Sequence, residues 1–288
     1  MKILFLIPFI ISFSFALGIN ISDSTITNGR TAFIELKKEK HMSLEKITIN
    51  KKNYKIYENP IDSTKMYALV PVSYYEKAKN KKVQIFYSKD NIEKNKIIFF
   101  SIKDGNYKKE TIKVSKSKVK LNKKDKKRAS KEYAEAMKIY NTFTNKSYIS
   151  SEFISPMQSK ITSSFGKARV YNGSLNGYHS GTDFRAKIGT DIIACNDGKV
   201  VLAKDRFYSG ASVIINHGQG IYTCYYHMSK FNVKKGDKVK KAQLLGLSGK
   251  SGRVTGPHLH FSVRVGGIQV DPLQLIELLN KNLLKAKK

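Results

Sequence analysis

The 288-residue sequence is short of three things, and each shortage removes a class of protein. It has only two cysteines, Cys195 and Cys224. Two are too few for a disulfide-built scaffold, and neither belongs to a Cys-x-x-Cys pair of the kind that holds structural zinc. Each lies in an apolar, strand-like run, which suits two buried thiols as well as a single bridge. Long apolar runs are missing beyond the first residues: no later segment approaches the roughly 20 apolar residues a helix needs to cross a bilayer. Acidic residues are the third shortage, with 22 Asp and Glu against 53 Lys and Arg and a formal charge of +31.

What is present begins at the N-terminus. Met1-Lys2, an apolar run from Ile3 to Phe15 and the small-x-small triplet Ser14-Phe15-Ala16 have the layout of a secretory signal peptide over residues 1–16. Cleavage is expected after Ala16, and an uncleaved anchor is the alternative. A chain this basic attracts polyanions. Export argues against nucleic acid as a partner, as does the spread of lysines along the chain rather than in one stripe. Anionic cell-wall polymer and an anionic membrane surface are the candidates that fit.

The length allows two domains, and the texture is mainly β. From 17 to 112 short alternating runs, such as Lys46-Ile47-Thr48-Ile49 and Lys82-Val83-Gln84-Ile85-Phe86-Tyr87, are punctuated by turn signals. They predict a small sandwich-like β domain that positions or covers a partner. Its only histidine, His41, has no second ligand type nearby and reads as a surface residue. Residues 113–152 read as a basic, solvated linker running into a connecting helix, whose Tyr133, Met137 and Tyr140 share one face and should dock it on a neighbour. A second β domain, rich in glycine, spans 153–275, and 276–288 reads as a basic tail.

Five of the six histidines lie in that second domain, so the chemistry is expected there. Two motifs stand out, His179-x-x-x-Asp183 and His258-Leu259-His260. In an extended chain residues two or four apart project to the same side, so each motif can present a pair of ligands. Ser180 and Gly181 argue against a helical His-Glu-x-x-His site. Three of these four residues would suffice for an open zinc site, in which a water takes the fourth position and its pKa falls to about 7. The fourth residue and His227, at the end of an apolar run, are then available to move protons and stabilise an oxyanion. His217, in Asn216-His217-Gly218-Gln219-Gly220, reads as a structural turn residue. Other chemistries drop out. Gly249-Lys250-Ser251 lacks the glycine a phosphate loop needs five positions earlier, where Leu244 stands, and there is no Gly-x-Ser-x-Gly elbow.

The segment from about Ser155 to Leu275 resembles the lysostaphin/LytM family of zinc metallopeptidases, which cut peptidoglycan peptides. The matching stretches are His179-Ser180-Gly181-Thr182-Asp183-Phe184, Ala194-Cys195-Asn196-Asp197-Gly198-Lys199-Val200, His217-Gly218-Gln219-Gly220, Tyr226-His227-Met228-Ser229, Val233-Lys234-Lys235-Gly236-Asp237-Lys238-Val239 and Gly256-Pro257-His258-Leu259-His260-Phe261. The resemblance covers about two fifths of the chain and leaves the N-terminal half unmatched. It implies metal ligands at His179, Asp183 and His260, one Zn2+ per chain, and catalytic histidines at His227 and His258. It also implies a two-sheet antiparallel β fold with the cleft across the larger sheet.

By the same resemblance the expected activity is a zinc endopeptidase acting on peptidoglycan stem-peptide crosslinks. The D-alanine to meso-diaminopimelate link and a Gram-negative, periplasmic setting, with a role in cell shape, fit the layout best. The alternatives are a latent or non-catalytic wall-binding regulator, restrained by the upstream half, and a DD-carboxypeptidase.

Overall fold

The computed structural model describes residues 18–49, 52–114, 117, 120–173 and 175–284. The segment read as a signal peptide, 1–16, lies outside the described residues. Strands make up 48% of the structure and helices 12%, so the expected mainly-β class holds. Among the described residues no helix is long and apolar enough to cross a membrane.

The N-terminal region is two facing sheets. One orders the strands Ile19–Ile21, Thr31–Lys37, Lys65–Pro71 and Tyr57–Glu58. The other orders Thr25–Thr27, Ile92–Lys103, Lys79–Lys89, Met42–Ile49 and Lys52–Tyr54. Strand alternation explains what lies between them. Ala32, Ile34, Leu36, Ala68 and Val70 point from the first sheet to Ile47, Ile49, Val83, Ile85 and Phe100 of the second, forming one closed core. The opposite face of the first sheet is apolar as well. Phe33, Tyr67 and Leu69, one residue out of phase, enter the core of the C-terminal domain. A sheet buried on both faces reads as a nearly continuous apolar run, as in Met66-Tyr67-Ala68-Leu69-Val70.

The C-terminal domain is built on a ten-stranded sheet. Its main path runs Ile161–Ser163, Thr182–Arg185, His258–Val265, Ile221–Phe231, Gly210–Gly218, Gly198–Arg206 and Lys238–Val239. Every pairing inside this sheet is antiparallel. Cys195 and Cys224 are buried free thiols, the first of the two readings left open.

Three expectations about the connections need correction. The strand Lys109–Ile112, assigned by its alternation to the N-terminal domain, instead pairs in parallel with Ala168–Tyr171, which continues into a hairpin with Leu175–Tyr178. Composition cannot reveal which sheet a short strand joins. The connecting helix, α1 (Lys123–Tyr140), starts inside the stretch read as solvated linker, capped by the Asn122 side chain accepting from the Asp125 N–H. On α1 it is Ala136, Met137 and Tyr140 that pack, whereas Tyr133 is 63% exposed. The basic tail expected from 276 begins inside α2 (Pro272–Asn282). Asp271 caps this helix, and Leu275, Leu278, Leu279, Leu283 and Leu284 are buried in the main core. Four lysines in the last eight residues hide the leucine spacing that makes that face apolar.

α2 also fastens the two regions together. The Gln274 side chain accepts from the Thr31 N–H and donates to the Thr31 carbonyl, at 3.0 and 3.1 Å. The Tyr67 hydroxyl donates to the Gln219 side-chain oxygen.

Candidate metal centre

Register brings the two histidine motifs together. Asp183 in the strand Thr182–Arg185 lies directly opposite His260 in His258–Val265. In that second strand Leu259 and Phe261 are fully buried in the core, so His258 and His260 project from the other face. His179 follows the hairpin strand Leu175–Tyr178 and reaches the same point through Ser180 and Gly181. A Cβ on Gly181 would fall 2.3 Å from the Phe261 carbonyl oxygen and 2.6 Å from His260 Nε2. Only glycine allows the chain to pass so close.

The donor atoms converge tightly. His179 Nε2 is 2.9 Å from Asp183 Oδ1, His260 Nδ1 is 2.7 Å from the same oxygen, and the two ring nitrogens are 3.1 Å apart. Among the described residues this is the group of histidine and carboxylate side chains able to hold a metal ion. Its chemistry tests well against zinc. His179 Nδ1 lies 2.7 Å from the Ser164 carbonyl, a bond it makes as donor, so Nε2 is the atom it can offer to a metal or, when protonated, donate to Asp183. Such an outer hydrogen bond is the usual means of fixing a ligand histidine's tautomer. Two imidazoles and one carboxylate, all buried, are a donor set zinc accepts readily and leave a coordination position open.

The charge state agrees. Burial would raise the Asp183 carboxyl, yet hydrogen bonds with His179 and His260 and their charge hold it well below the usual carboxylate range. Burial depresses His260 to about 4, against the pull of Asp183. A neutral imidazole and an ionised carboxylate are the forms that bind metal.

His227 and His258 stand beside this group, their ring centroids 4.9 Å apart, and His227 lies 5.9 Å from His260. His227 sits at a register shift between Ile221–Phe231 and Gly210–Gly218, with φ of +63°. A bulge with a left-handed non-glycine residue carries strain and re-aims a side chain, here toward His258. Each ring is anchored through Nδ1, His227 on the Ser251 carbonyl and His258 on the Gly256 carbonyl, both at 2.8 Å. In each, Nε2 is left as a lone pair, that of His258 lying 3.7 Å from Asp183 Oδ1. Burial, then the neighbouring His260 and His258, lowers His227 to about 3, so it too is neutral at pH 7.

The five residues singled out from sequence therefore meet in one site. His217 does not join them. It is buried between the Asp197 carbonyl at 2.7 Å and the Thr223 hydroxyl at 2.8 Å, a structural histidine as expected. His41 is exposed.

Sequence reasoning missed the supports. Arg169 lies 3.4 Å from the second Asp183 oxygen and 2.7 Å from Glu110. Tyr226 stacks on His260 with centroids 5.6 Å apart, and its hydroxyl is 3.0 Å from that of Tyr140 on α1. The carbonyls of Ser164, Ser251 and Gly256 have no side-chain signature at all. Tyr226 alone had a usable signal, since it alternates in phase with Cys224 and precedes His227.

An antiparallel β sheet that carries a buried His–Asp–His cluster with two imidazoles beside it can hold a metal with a coordination position open. Residues 177–272 match Peptidase family M23. It is 43% identical over 122 residues to the peptidoglycan DD-endopeptidase ShyA of Vibrio cholerae, a match covering 41% of this chain and 28% of that protein. To the glycyl-glycine endopeptidase ALE-1 of Staphylococcus capitis it is 45% identical over 91 residues, covering 31% and 25%. The chain thus spans less than a third of the length of these relatives. A solved Pseudomonas aeruginosa structure assigned to peptidase M23 matches at a TM-score of 0.65 and 27% identity, over 87% of this chain and 94% of that one. That match extends well beyond the M23 segment.

Proposed function

We propose that this protein is a zinc-dependent peptidoglycan endopeptidase that hydrolyses stem-peptide crosslinks, with the D-alanine to meso-diaminopimelate link as its bond. The observation that carries the reading is the convergence of His179, Asp183 and His260 with two anchored imidazoles beside them. The longer of the two curated matches, to a DD-endopeptidase, supports the choice of bond. The signal-like residues 1–16 and the nature of the substrate support action outside the cytoplasm, in a periplasm, as part of wall remodelling and cell shape. The charge of +31 suits an anionic wall and, secondarily, an anionic membrane surface.

His179, Asp183 and His260 would hold one zinc. When bound, zinc supplies a Lewis acid for the scissile carbonyl and lowers the pKa of water to about 7. The protein's own part falls to His227 and His258. With Nδ1–H tied to a carbonyl, each can accept a proton at Nε2 from the attacking water, hand it to the leaving amine, or donate a hydrogen bond to the oxyanion once protonated. Arg169 holds the carboxylate of Asp183 in place from the side away from the histidines.

Sacculi digested with the mature chain should release crosslink products, stop releasing them in a chelator and resume on addition of zinc. Release that continues in His258→Ala would sink the mechanism. Trimming of monomeric pentapeptide at a matching rate would move the activity to a DD-carboxypeptidase.

One observation favours a second reading, a restrained form. Glu110 to Lys113 line an open groove of about 520 Å³ together with Asp183 and His258. If this strand restrains the site, Glu110→Ala should raise the rate of release. A lower or equal rate would make the strand a wall of the substrate groove.

A further inference from the structure

Arg253 occupies the middle of the loop whose two ends anchor the catalytic imidazoles, Ser251 on His227 and Gly256 on His258. Its guanidinium carbon lies 4.3 Å from the centre of the Tyr171 ring and 4.4 Å from that of Tyr208. Tyr171 ends the strand that carries Arg169 and pairs with Ile112. Tyr208 lines a second groove, of about 750 Å³, with Tyr226 and Ser180. The Arg253 backbone N–H also donates to the Tyr208 carbonyl at 2.8 Å, which fixes the loop at this point.

Cation–π contact with two rings uses none of the guanidinium's N–H donors. Among the described residues no hydrogen bond or ion pair uses those donors. This sets Arg253 apart from Arg169 and Arg264, whose donors are taken by Glu110 and Asp183 and by Gly267 and Gln269. A positioned fork of free donors is the geometry that recognises a carboxylate by two parallel hydrogen bonds.

Resting on the peptidase reading above, we infer that Arg253 is a specificity-determining residue that binds a free carboxylate of the substrate peptide. Such a carboxylate can sit on the leaving-amine side or on the acyl side of the scissile bond. Both have the same chemistry, and a peptide amidated at one or the other position tells them apart. A peptide without a free carboxylate near the bond gains nothing from Arg253.

The test is calorimetric binding to the chelator-treated full mature chain, so that no peptide is cut. Three probes are used: a crosslinked stem peptide, its leaving-side carboxamide and its acyl-side carboxamide. One carboxamide should bind about tenfold more weakly than the parent, the scale of a charge-assisted hydrogen bond. In Arg253→Gln that difference should vanish, with the carboxamide's own affinity unchanged. Arg253→Lys, which keeps the charge and loses the fork, should show an intermediate preference. A preference equally strong in both variants, or equal weakening of all three probes, would overturn the assignment and leave Arg253 a strap between the walls. Cleavage assayed in parallel with zinc separates the two claims. Binding preference without cleavage breaks the peptidase reading alone, and cleavage without preference breaks the carboxylate site alone.

Discussion

The N-terminal sandwich and the C-terminal domain are made by the same alternation of apolar and polar residues, yet they bury different things. The sandwich interior is almost wholly aliphatic and aromatic, from Ala32 and Ile34 to Val83 and Ile102. The C-terminal domain buries four of the six histidines, His179, His217, His227 and His260, along with Asp183. Burying such groups is costly unless each finds a partner. In the C-terminal domain each does, on a carbonyl, a hydroxyl or another member of the site. One region is thus built for packing, and the other invests part of its packing in holding imidazoles neutral and aimed. The sandwich is still no passive appendage, because Phe33, Tyr67 and Leu69 complete the core beneath the site.

The sharpest way to break this contrast is to remove one imidazole from each role. His258→Ala should cut crosslink hydrolysis by about 10²- to 10⁴-fold, the usual share of a general acid or base, with metal content by elemental analysis near one zinc per chain. His260→Ala should lose both activity and zinc. Retained zinc in His260→Ala would remove it from the ligand set.

Next in size is the seam between the regions. Phe33→Ala, made in the N-terminal sheet, should destabilise the C-terminal domain as well, by about 3–5 kcal/mol as large-to-small core changes do. Denaturant unfolding should remain a single transition whether followed in the sandwich or at the site. Two separate transitions, with the site untouched, would mean that the shared core is not cooperative.

A buried histidine outside the site gives a pH test. Burial lowers His217 from 6.5 to about 4, so the unfolded chain binds the proton more tightly than the folded one. Its contribution to stability is complete above pH 6.5 and lost as pH falls toward 4, amounting to about 3 kcal/mol at most. His217→Gln should be less stable at pH 7, and its stability should vary less between pH 6.5 and 4 than that of the parent. An unchanged slope would show that His217 is not held neutral.

The smallest effect separates two tyrosines of α1. Tyr133→Ala, at an exposed position, should stay within about 0.5 kcal/mol. Tyr140→Phe, which keeps the packing but removes the hydroxyl that meets Tyr226, should cost about 1 kcal/mol. Thermal denaturation of the pair checks whether α1 supports the site through Tyr226.

The site was the most legible part of the chain. His179 and Asp183, four apart, and His258 and His260, two apart, are rare residue types at telling spacings; strand alternation places the second pair on one side, whereas His179 stands outside the strand Thr182–Arg185 and His227 has no partner at either spacing. The fold class was legible for the same reason, since a period of two survives in any antiparallel sheet. The connections were not. Lys109–Ile112 is too short and too polar to announce its partner, and the lysines around 276–288 mask the buried leucines of α2.

The sequence by itself determined that His258 and His260 lie on one side of a strand and that five of the six histidines lie in one β domain, because local chain geometry sets which way a side chain points. Only the tertiary structure decided which atoms face one another. The Ser164 and Ser251 carbonyls that fix two of the tautomers, the Arg169 guanidinium behind Asp183 and the rings that hold Arg253 come from other segments of the chain. Their roles depend on distances of about 3 to 4 Å, and such distances exist only once the sheets have closed.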